Sequence, residues 1–475
     1  MVLSKQKFTN FRNKYIGDKE FYKMVLGISV PMMVQNGITN LVTLLDNIMV
    51  GRLGTEAMSG VSIVNQFIFI FNLLIFGSVA AAGIYISQFY GSNDTNGLRY
   101  SFRFKFLITV SAAMIGTIVL GILHSEFINL FLHDSASDLN LEVTFDLAKE
   151  YLFIMLIGLI PHAVSQVYAS TLRETGEVVV PMVSSVVAVL TNFVFNILLI
   201  FGYLGFPAMG VVGAAIATVL SRFVELFILI IYAHTHKKRF AYLKGAFRSF
   251  RIPKNLFKEI LIKGIPLLLN EFFWGLAMTM RNHCYSTRGL DVVAALNIST
   301  TIFNLFSVVY MAIGSSVAII IGRLLGAGKI EKAKDSDRKL ITFSVFTGII
   351  LAITMVIASL FFPKVYNTTE EVQSLASYMM IVSGITMPFA AFANSAYFTL
   401  RSGGKVLITL LFDSVYMWTV IMPISMILAY LTNVNIFILF MVCQWADVFK
   451  SIFGTYLLKR GSWANVLVKD EKLKT

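Results

Sequence analysis

Long apolar segments determine which folds this chain can adopt. Twelve of them occur, at about residues 24–50, 58–88, 103–123, 147–172, 178–201, 210–233, 257–286, 291–325, 339–362, 374–400, 406–430 and 434–458. Each reaches the roughly 20 residues that a transmembrane helix requires. None shows the alternation over about ten residues that marks a transmembrane β-strand. We therefore predict an all-α integral membrane protein with twelve transmembrane helices.

Composition and charge support this prediction. Of the 475 residues, 57% are hydrophobic and only 14% are charged, whereas a soluble domain carries about 25% charged residues. The termini and the even-numbered loops hold most of the Lys and Arg. The odd-numbered loops hold only Arg52, Lys149, Arg288 and Lys364. Because basic residues concentrate on the cytoplasmic side, both termini are predicted to be cytoplasmic. This distribution explains the net charge of +13 without a nucleic-acid partner.

The chain repeats itself once. At a shift of 235 positions, Pro31 coincides with Pro266, Gly54 with Gly289, and Gly91 with Gly326. Each half contains six spans, and because six is even, both halves enter the membrane from the same side. We predict two parallel six-helix repeats related by an axis along the membrane normal. The predicted divisions are an N-terminal lobe (1–233), a basic cytoplasmic linker (234–263) and a C-terminal lobe (264–475).

Two like bundles are typical of alternating-access transporters. A nucleotide-driven pump would need a glycine-rich phosphate loop that ends in Gly-Lys-Ser/Thr. The nearest sequences, GAGKI and SGGKV, lack the hydroxyl residue. We therefore predict a transporter driven by an ion gradient or by a separate partner, without enzymatic activity and without a cofactor.

Few charged residues lie within the spans, where each costs roughly 3 kcal/mol at the bilayer centre. The candidates are Asp46, Arg222, Glu225, Glu271, Arg281, Asp413, Asp447 and Lys450. Arg222 and Glu225 are three residues apart, and so are Asp447 and Lys450. Since residues at this spacing share a helix face, we interpret both as local structural pairs.

Asp46 has no basic residue within one helical turn. The fifth span contributes Asn192 and Asn196, which are four apart and lie on one helix face, and the sixth contributes Thr218. One carboxylate with amide and hydroxyl oxygens forms a hard ligand set that suits a small cation. We predict an ion-coupling site from these four residues, with a possible Na⁺ at Asp46. The alternative is that the amides and the hydroxyl only join helices by hydrogen bonds.

A second candidate group lies on the seventh span. Glu271 adjoins Asn270 and is close to Trp274, and a carboxylate beside an aromatic ring attracts an organic cation. We predict that these residues bind substrate, together with Gln35 and Asn36 of the first span. The alternative for Glu271 is an acid at the level of the lipid headgroups.

The segment SVPMMVQNGITNLVTLLDNIMVGRLG resembles the first span of the multidrug and toxic compound extrusion (MATE) transporters. Pro31, Asp46 and Gly51 match the family pattern, as do the loop GSND and the segment LRETGEVVVPM. The resemblance implies two six-helix lobes around a central cavity and the exchange of organic cations for H⁺ or Na⁺. It implies that Asp46 is the coupling residue. Some members carry Asn and Asp four residues apart on span five, where this chain has Asn192 and Asn196.

The predicted function is therefore a secondary antiporter of the plasma (inner) membrane that exports cationic amphiphiles in exchange for H⁺ or Na⁺. One alternative is a lipid-linked oligosaccharide flippase of the wider superfamily. The other is a membrane scaffold without transport activity, in which the intramembrane polar residues only join helices.

Overall fold

A computed structural model describes residues 14–132 and 140–468. Within these ranges, twelve helices are long and apolar enough to cross a membrane, which confirms the predicted all-α membrane fold. They are α1 (Lys19–Gly51), α2 (Thr55–Gly91), α3 (Thr95–Ile122), α4 (Leu141–Glu174), α5 (Val179–Phe201), α6 (Gly210–Thr235), α7 (Lys254–Ser286), α8 (Leu290–Gly326), α9 (Ile330–Ala358), α10 (Glu370–Ser402), α11 (Val406–Leu431) and α12 (Ile436–Lys459).

The chain divides into two compact units. Of the described residues, the unit that we call the C-terminal unit contains 14–33, 87–93 and 265–468. The N-terminal unit contains residues 34–86 and 94–264. Accordingly, α1 contributes to both units, and only the last turn of α2 belongs to the C-terminal unit.

The core of the N-terminal unit forms around α2 and α4, whose side chains are the most buried of this unit. Phe67, Phe71 and Ile75 of α2 are almost fully buried in one cluster with Leu152 and Leu159 of α4. Helix α6 packs against both α4 and α5. This packing places α5 and α6 side by side, so that their polar residues can meet.

In the C-terminal unit, α8 and α10 pack against each other, and α10 also contacts α9 and α12. Helix α11 departs from regular α geometry. Its hydrogen bonds follow the wider π pattern over Leu411–Val415, Met417–Ile421 and Ile427–Leu431. Short π segments inside α-helices are rare and are often found at functional sites. The first of them contains Asp413.

Two glycines allow α8 to cross the last turn of α2 closely. A methyl group on Gly91 would overlap the carbonyl of Arg323, and one on Gly326 would overlap the carbonyl of Gln88. Both ends of the buried Gln88 amide form hydrogen bonds: its nitrogen donates to the Ser402 carbonyl at 3.0 Å, and its oxygen accepts from the Leu467 N–H at 2.8 Å. The helices therefore touch backbone to backbone.

The basic segment after α6 is held against α3 mainly by Arg103. Arg103 donates three hydrogen bonds to backbone carbonyls: from Nε to Ala246 at 2.7 Å, from Nη2 to Gly245 at 2.9 Å and from Nη1 to Arg251 at 3.0 Å. Phe247 adds edge contacts with Phe102 and Phe106 of α3. The segment is thus fixed to the N-terminal unit.

We expect Arg103→Ala to release this segment. Hydrogen bonds to a charged group contribute about 1.5–3 kcal/mol each, so the loss of three should increase local opening by tenfold or more. Limited trypsin digestion of the purified protein measures this as faster cleavage within residues 236–253. Arg99→Ala is the matched control, because Arg99 donates to only one carbonyl there, that of Tyr242 at 3.2 Å. Equal cleavage rates in the two variants would contradict the assignment.

Candidate functional site

The four residues predicted to form the ion-coupling site lie together in the N-terminal unit. Asp46 projects from α1 toward α5, where Asn196 donates from Nδ2 to Asp46 Oδ1 at 2.6 Å. With its amide nitrogen turned toward the carboxylate, Asn192 donates to Oδ2 at 2.9 Å. Its oxygen then accepts from Thr218 Oγ1 of α6 at 3.2 Å. Three helices thereby place one carboxylate, two amides and one hydroxyl in contact.

The sequence explains this local arrangement. Asn192 and Asn196 are one helical turn apart on α5, and both are buried. The Thr218 hydroxyl also lies 3.0 Å from the Ala214 carbonyl of its own helix, so its one proton is shared between this carbonyl and the Asn192 oxygen. Burial of a polar group without a hydrogen-bond partner costs free energy, so the arrangement in which these side chains face one another is favoured.

Two features of the site indicate that its protein contacts are incomplete. Among the described residues, no Lys, Arg or His forms an ion pair with Asp46. The side-chain oxygen of Asn196, which is 2% exposed, has no hydrogen-bond partner there. A carboxylate without a counter-charge, beside an unsatisfied amide oxygen, is suited to accept a proton or a small cation.

The C-terminal unit contains a second polar group. Asn270 is 1% exposed; it donates from Nδ2 to Asp413 Oδ2 at 3.0 Å, and its Oδ1 accepts from the Ser414 hydroxyl at 2.8 Å. Glu271 accepts from the Tyr397 hydroxyl at 3.0 Å. Asn270, predicted as a substrate contact, therefore has its amide occupied by α11, whereas Glu271 is only half-buried.

The other predicted substrate contacts are dispersed. Trp274 is half-buried on α7, one turn after Asn270. In the N-terminal unit, Gln35 is half-buried, and its Oε1 accepts from Arg173 at 3.4 Å. Asn36 is exposed. The structure therefore groups Glu271 with Asn270 but does not gather all five residues of this prediction into one described contact set.

Neither predicted local pair of intramembrane charges forms an ion pair among the described residues. Arg222 and Glu225 are not paired, and Arg222 Nη1 has no hydrogen-bond partner there. Asp447 and Lys450 do not form the predicted local pair, because each has a partner on another helix. Arg281 of α7 donates to Asp447 Oδ2 at 3.1 Å, and Lys450 forms an ion pair with Asp413 of α11. Partners that face each other across a helix interface can approach more directly than side chains three positions apart on one helix.

Tyr397, which links α10 to Glu271, was not among the residues predicted from the sequence. A tyrosine in an apolar span carries little signal, because it packs well with or without a polar partner. Only the approach of α10 to α7 gives this hydroxyl its partner.

Comparisons with known proteins agree with this architecture. The MatE family model matches residues 31–198 and 266–443, so that each half of the chain carries one copy. Similar structures include a MATE protein in complex with MaL6, with 20% identity, a TM-score of 0.83 and coverage of 94% of this chain and 97% of that one. Another is a mutant of the Vibrio cholerae MATE transporter VcmN, at 16% identity and a TM-score of 0.83, covering 96% and 99% of the two chains.

Relatives similar in sequence extend over most of the chain. A probable multidrug resistance protein NorM of Thermotoga maritima is 25% identical over 458 residues, or 94% of this chain and 93% of the relative. A probable multidrug resistance protein YoeA of Bacillus subtilis is 24% identical over 415 residues, or 86% and 87% of the two chains. The twelve helices, the internal repeat and both matches of the family model lead to one conclusion: the chain belongs to the MatE family of membrane transporters.

Proposed function

We propose that this protein is a secondary antiporter that exports cationic amphiphiles in exchange for H⁺ or Na⁺, with Asp46 as the ion-coupling group. The observation that carries the proposal is the carboxylate of Asp46, held by the amides of Asn192 and Asn196 without a basic partner among the described residues. Such a group changes charge when it takes up a cation, and this change biases the packing of the helices around it.

Three further points support the proposal. The relatives named as probable multidrug resistance proteins are similar over nearly the whole chain. Charged groups inside a membrane are usually functional, and Asp46 lies inside α1, five residues before the helix ends. In the C-terminal unit, half-buried Glu271 and Trp274 offer a carboxylate and an aromatic ring to an organic cation. Of the predicted substrate contacts, Glu271 is the residue that we propose to bind the cationic group of the substrate.

The distribution of basic residues indicates how the protein is oriented in its membrane. Both termini and the basic segment 234–263 face the cytoplasm of a cell whose plasma (inner) membrane contains the protein, because the basic residues concentrate on that side. The lobes are residues 1–233 and 264–475, and substrate leaves the cytoplasm by alternating access.

The test is efflux of a lipophilic cationic dye from vesicles that contain the purified protein. A pH gradient and a Na⁺ gradient are imposed in separate experiments, and protein-free vesicles give the background rate. Faster dye movement under one gradient identifies the coupling ion. Background rates under both gradients, with a set of chemically different cationic dyes, would contradict the proposal.

We expect Asn196→Ala to reduce gradient-driven dye movement by about tenfold. The substitution removes a charge-assisted hydrogen bond to Asp46, which is worth about 1.5–3 kcal/mol, and 1.4 kcal/mol corresponds to a factor of ten. Thr191→Ala is the control on the same helix, because the Thr191 hydroxyl donates to the carbonyl of Val187 in its own helix and bonds to no other described residue. If both variants transport at the same rate, Asn196 does not contribute to the coupling site.

A further inference from the structure

Two half-buried aspartates, Asp46 in the N-terminal unit and Asp413 in the C-terminal unit, have different partners. Asp46 of the N-terminal unit is contacted by neutral amides. Asp413 of the C-terminal unit also accepts from an amide, that of Asn270 at 3.0 Å, but its other oxygen is paired with the ammonium group of Lys450. One carboxylate is therefore open to an external cation, and the other has a cation supplied by the chain itself.

The surroundings of Lys450 resemble a site for an organic ammonium ion. Lys450 is 8% exposed. Its Nζ contacts the carboxylate of Asp413 and lies 5.0 Å from the centre of the Phe412 ring. A carboxylate combined with an aromatic face is the chemistry by which proteins bind ammonium groups. The side chain thus occupies a complete cation site.

Hydrogen bonds between α7 and α11 hold the Asp413 carboxylate in place. Asn270 donates to Asp413 and accepts from both the hydroxyl and the backbone N–H of Ser414. The one proton of the Ser414 hydroxyl is shared between Asn270 Oδ1 and the Asn270 carbonyl, which lies 2.7 Å from the hydroxyl oxygen. These bonds fix α7 to the π segment of α11 that presents the carboxylate. A fixed carboxylate loses little freedom when it binds a cation.

We propose that Lys450 is a tethered cation that fills an ammonium site formed by Asp413 and Phe412, so that this carboxylate takes no external coupling ion. This inference deepens the proposed function and rests on it for its transport consequence. Asp413 then does not act as a second ion-coupling site beside Asp46.

Chemical rescue tests the ammonium site without any transport assay. Lys450→Ala removes three methylene carbons and the amine, which together correspond to n-propylammonium. We expect the substitution to lower the apparent Tm of the purified protein by roughly 5 °C or more, because it leaves a buried charge unpaired. Added n-propylammonium should recover at least about half of this loss, in proportion to the logarithm of its concentration.

The controls decide whether rescue is specific. Tetramethylammonium and Na⁺ at the same concentrations should not restore the Tm of Lys450→Ala. n-Propylammonium should not stabilise Asp413→Asn/Lys450→Ala, which lacks the carboxylate. Absence of rescue in the single variant, equal rescue by tetramethylammonium, or equal rescue of the double variant would each overturn the tethered-cation assignment.

A second experiment covers the case in which Lys450→Ala does not fold. Asp413→Asn/Lys450→Met replaces the ion pair by neutral groups of similar size, a change that proteins often tolerate. We expect the ratio of exchanged ions to exported dye in vesicles to equal that of the unsubstituted protein. A lower ratio, or gradient-independent transport by a folded protein, would overturn the proposal. If the unsubstituted protein itself moves no dye, the antiporter proposal fails, while the rescue experiment still decides the role of Lys450.

Discussion

Asp46→Asn is expected to abolish gradient-driven transport while leaving the protein folded. Asparagine has nearly the same shape as aspartate but cannot change charge, so the helices that contact residue 46 no longer respond to the ion. Dye efflux under the effective gradient should fall to the rate of protein-free vesicles. The apparent Tm of the purified variant should stay close to that of the unsubstituted protein, since burial of a neutral amide costs less than burial of a charge.

The matched control is Asp335→Asn. Asp335 is a partly exposed acid on α9, where it pairs with Lys339 at 2.6 Å, and exposed pairs of this kind contribute about 1 kcal/mol or less. Its substitution should leave transport unchanged. Normal coupled efflux by a folded Asp46→Asn protein would move the coupling site away from α1, and Glu271 would become the next residue to test.

Gly326→Leu should prevent the protein from reaching its folded state. A side chain at this position would overlap the carbonyl of Gln88 on α2, and backbone cannot rotate away as a flexible side chain can. Overpacking costs about 1–3 kcal/mol even where the surroundings relax, so we expect a larger loss here. The yield of monodisperse protein after solubilisation measures it. Gly91→Leu, which meets the Arg323 carbonyl, should have the same effect.

Gly27→Ala serves as the control for this pair. Gly27 also lies inside a helix of the C-terminal unit, but a methyl group there would meet nothing within 4 Å. Because alanine favours a helix by about 1 kcal/mol over glycine, this variant should be at least as stable as the unsubstituted protein. A normal yield from Gly326→Leu would show that α8 does not approach α2 as closely as described.

The number and order of the helices could be predicted because each span is a continuous apolar segment of sufficient length. Helix ends were less accurate. The third span was predicted at about 103–123, whereas α3 begins at Thr95, after Asp94 caps the amides of Asn96 and Gly97. The polar first turns of this helix lack the apolar signal. The short helix His124–Leu132 was not predicted, because its nine residues are too few to span a membrane.

The two polar groups differed in how far the sequence could predict them. The contact of Asn192 and Asn196 with Asp46 follows from a spacing of four residues on one helix and one charged residue on another. The pairing of Asp413 with Lys450 depends on how α11 and α12 are rotated about their axes, and the π segment around Asp413 changes that rotation. Neither the π segment nor the resulting pairing has a signature in the apolar pattern.

The glycine crossing of α2 and α8 also bears on the origin of the chain. Gly91 meets the carbonyl of Arg323, and Gly326 meets the carbonyl of Gln88; a shift of 235 converts each contact into the other. Such a contact is isologous, as at the interface of a symmetric homodimer, where the same surface serves both partners. A half-length ancestor with this one helix would already have carried both the glycine and the carbonyl. Two copies could therefore have associated through this contact before their genes were fused.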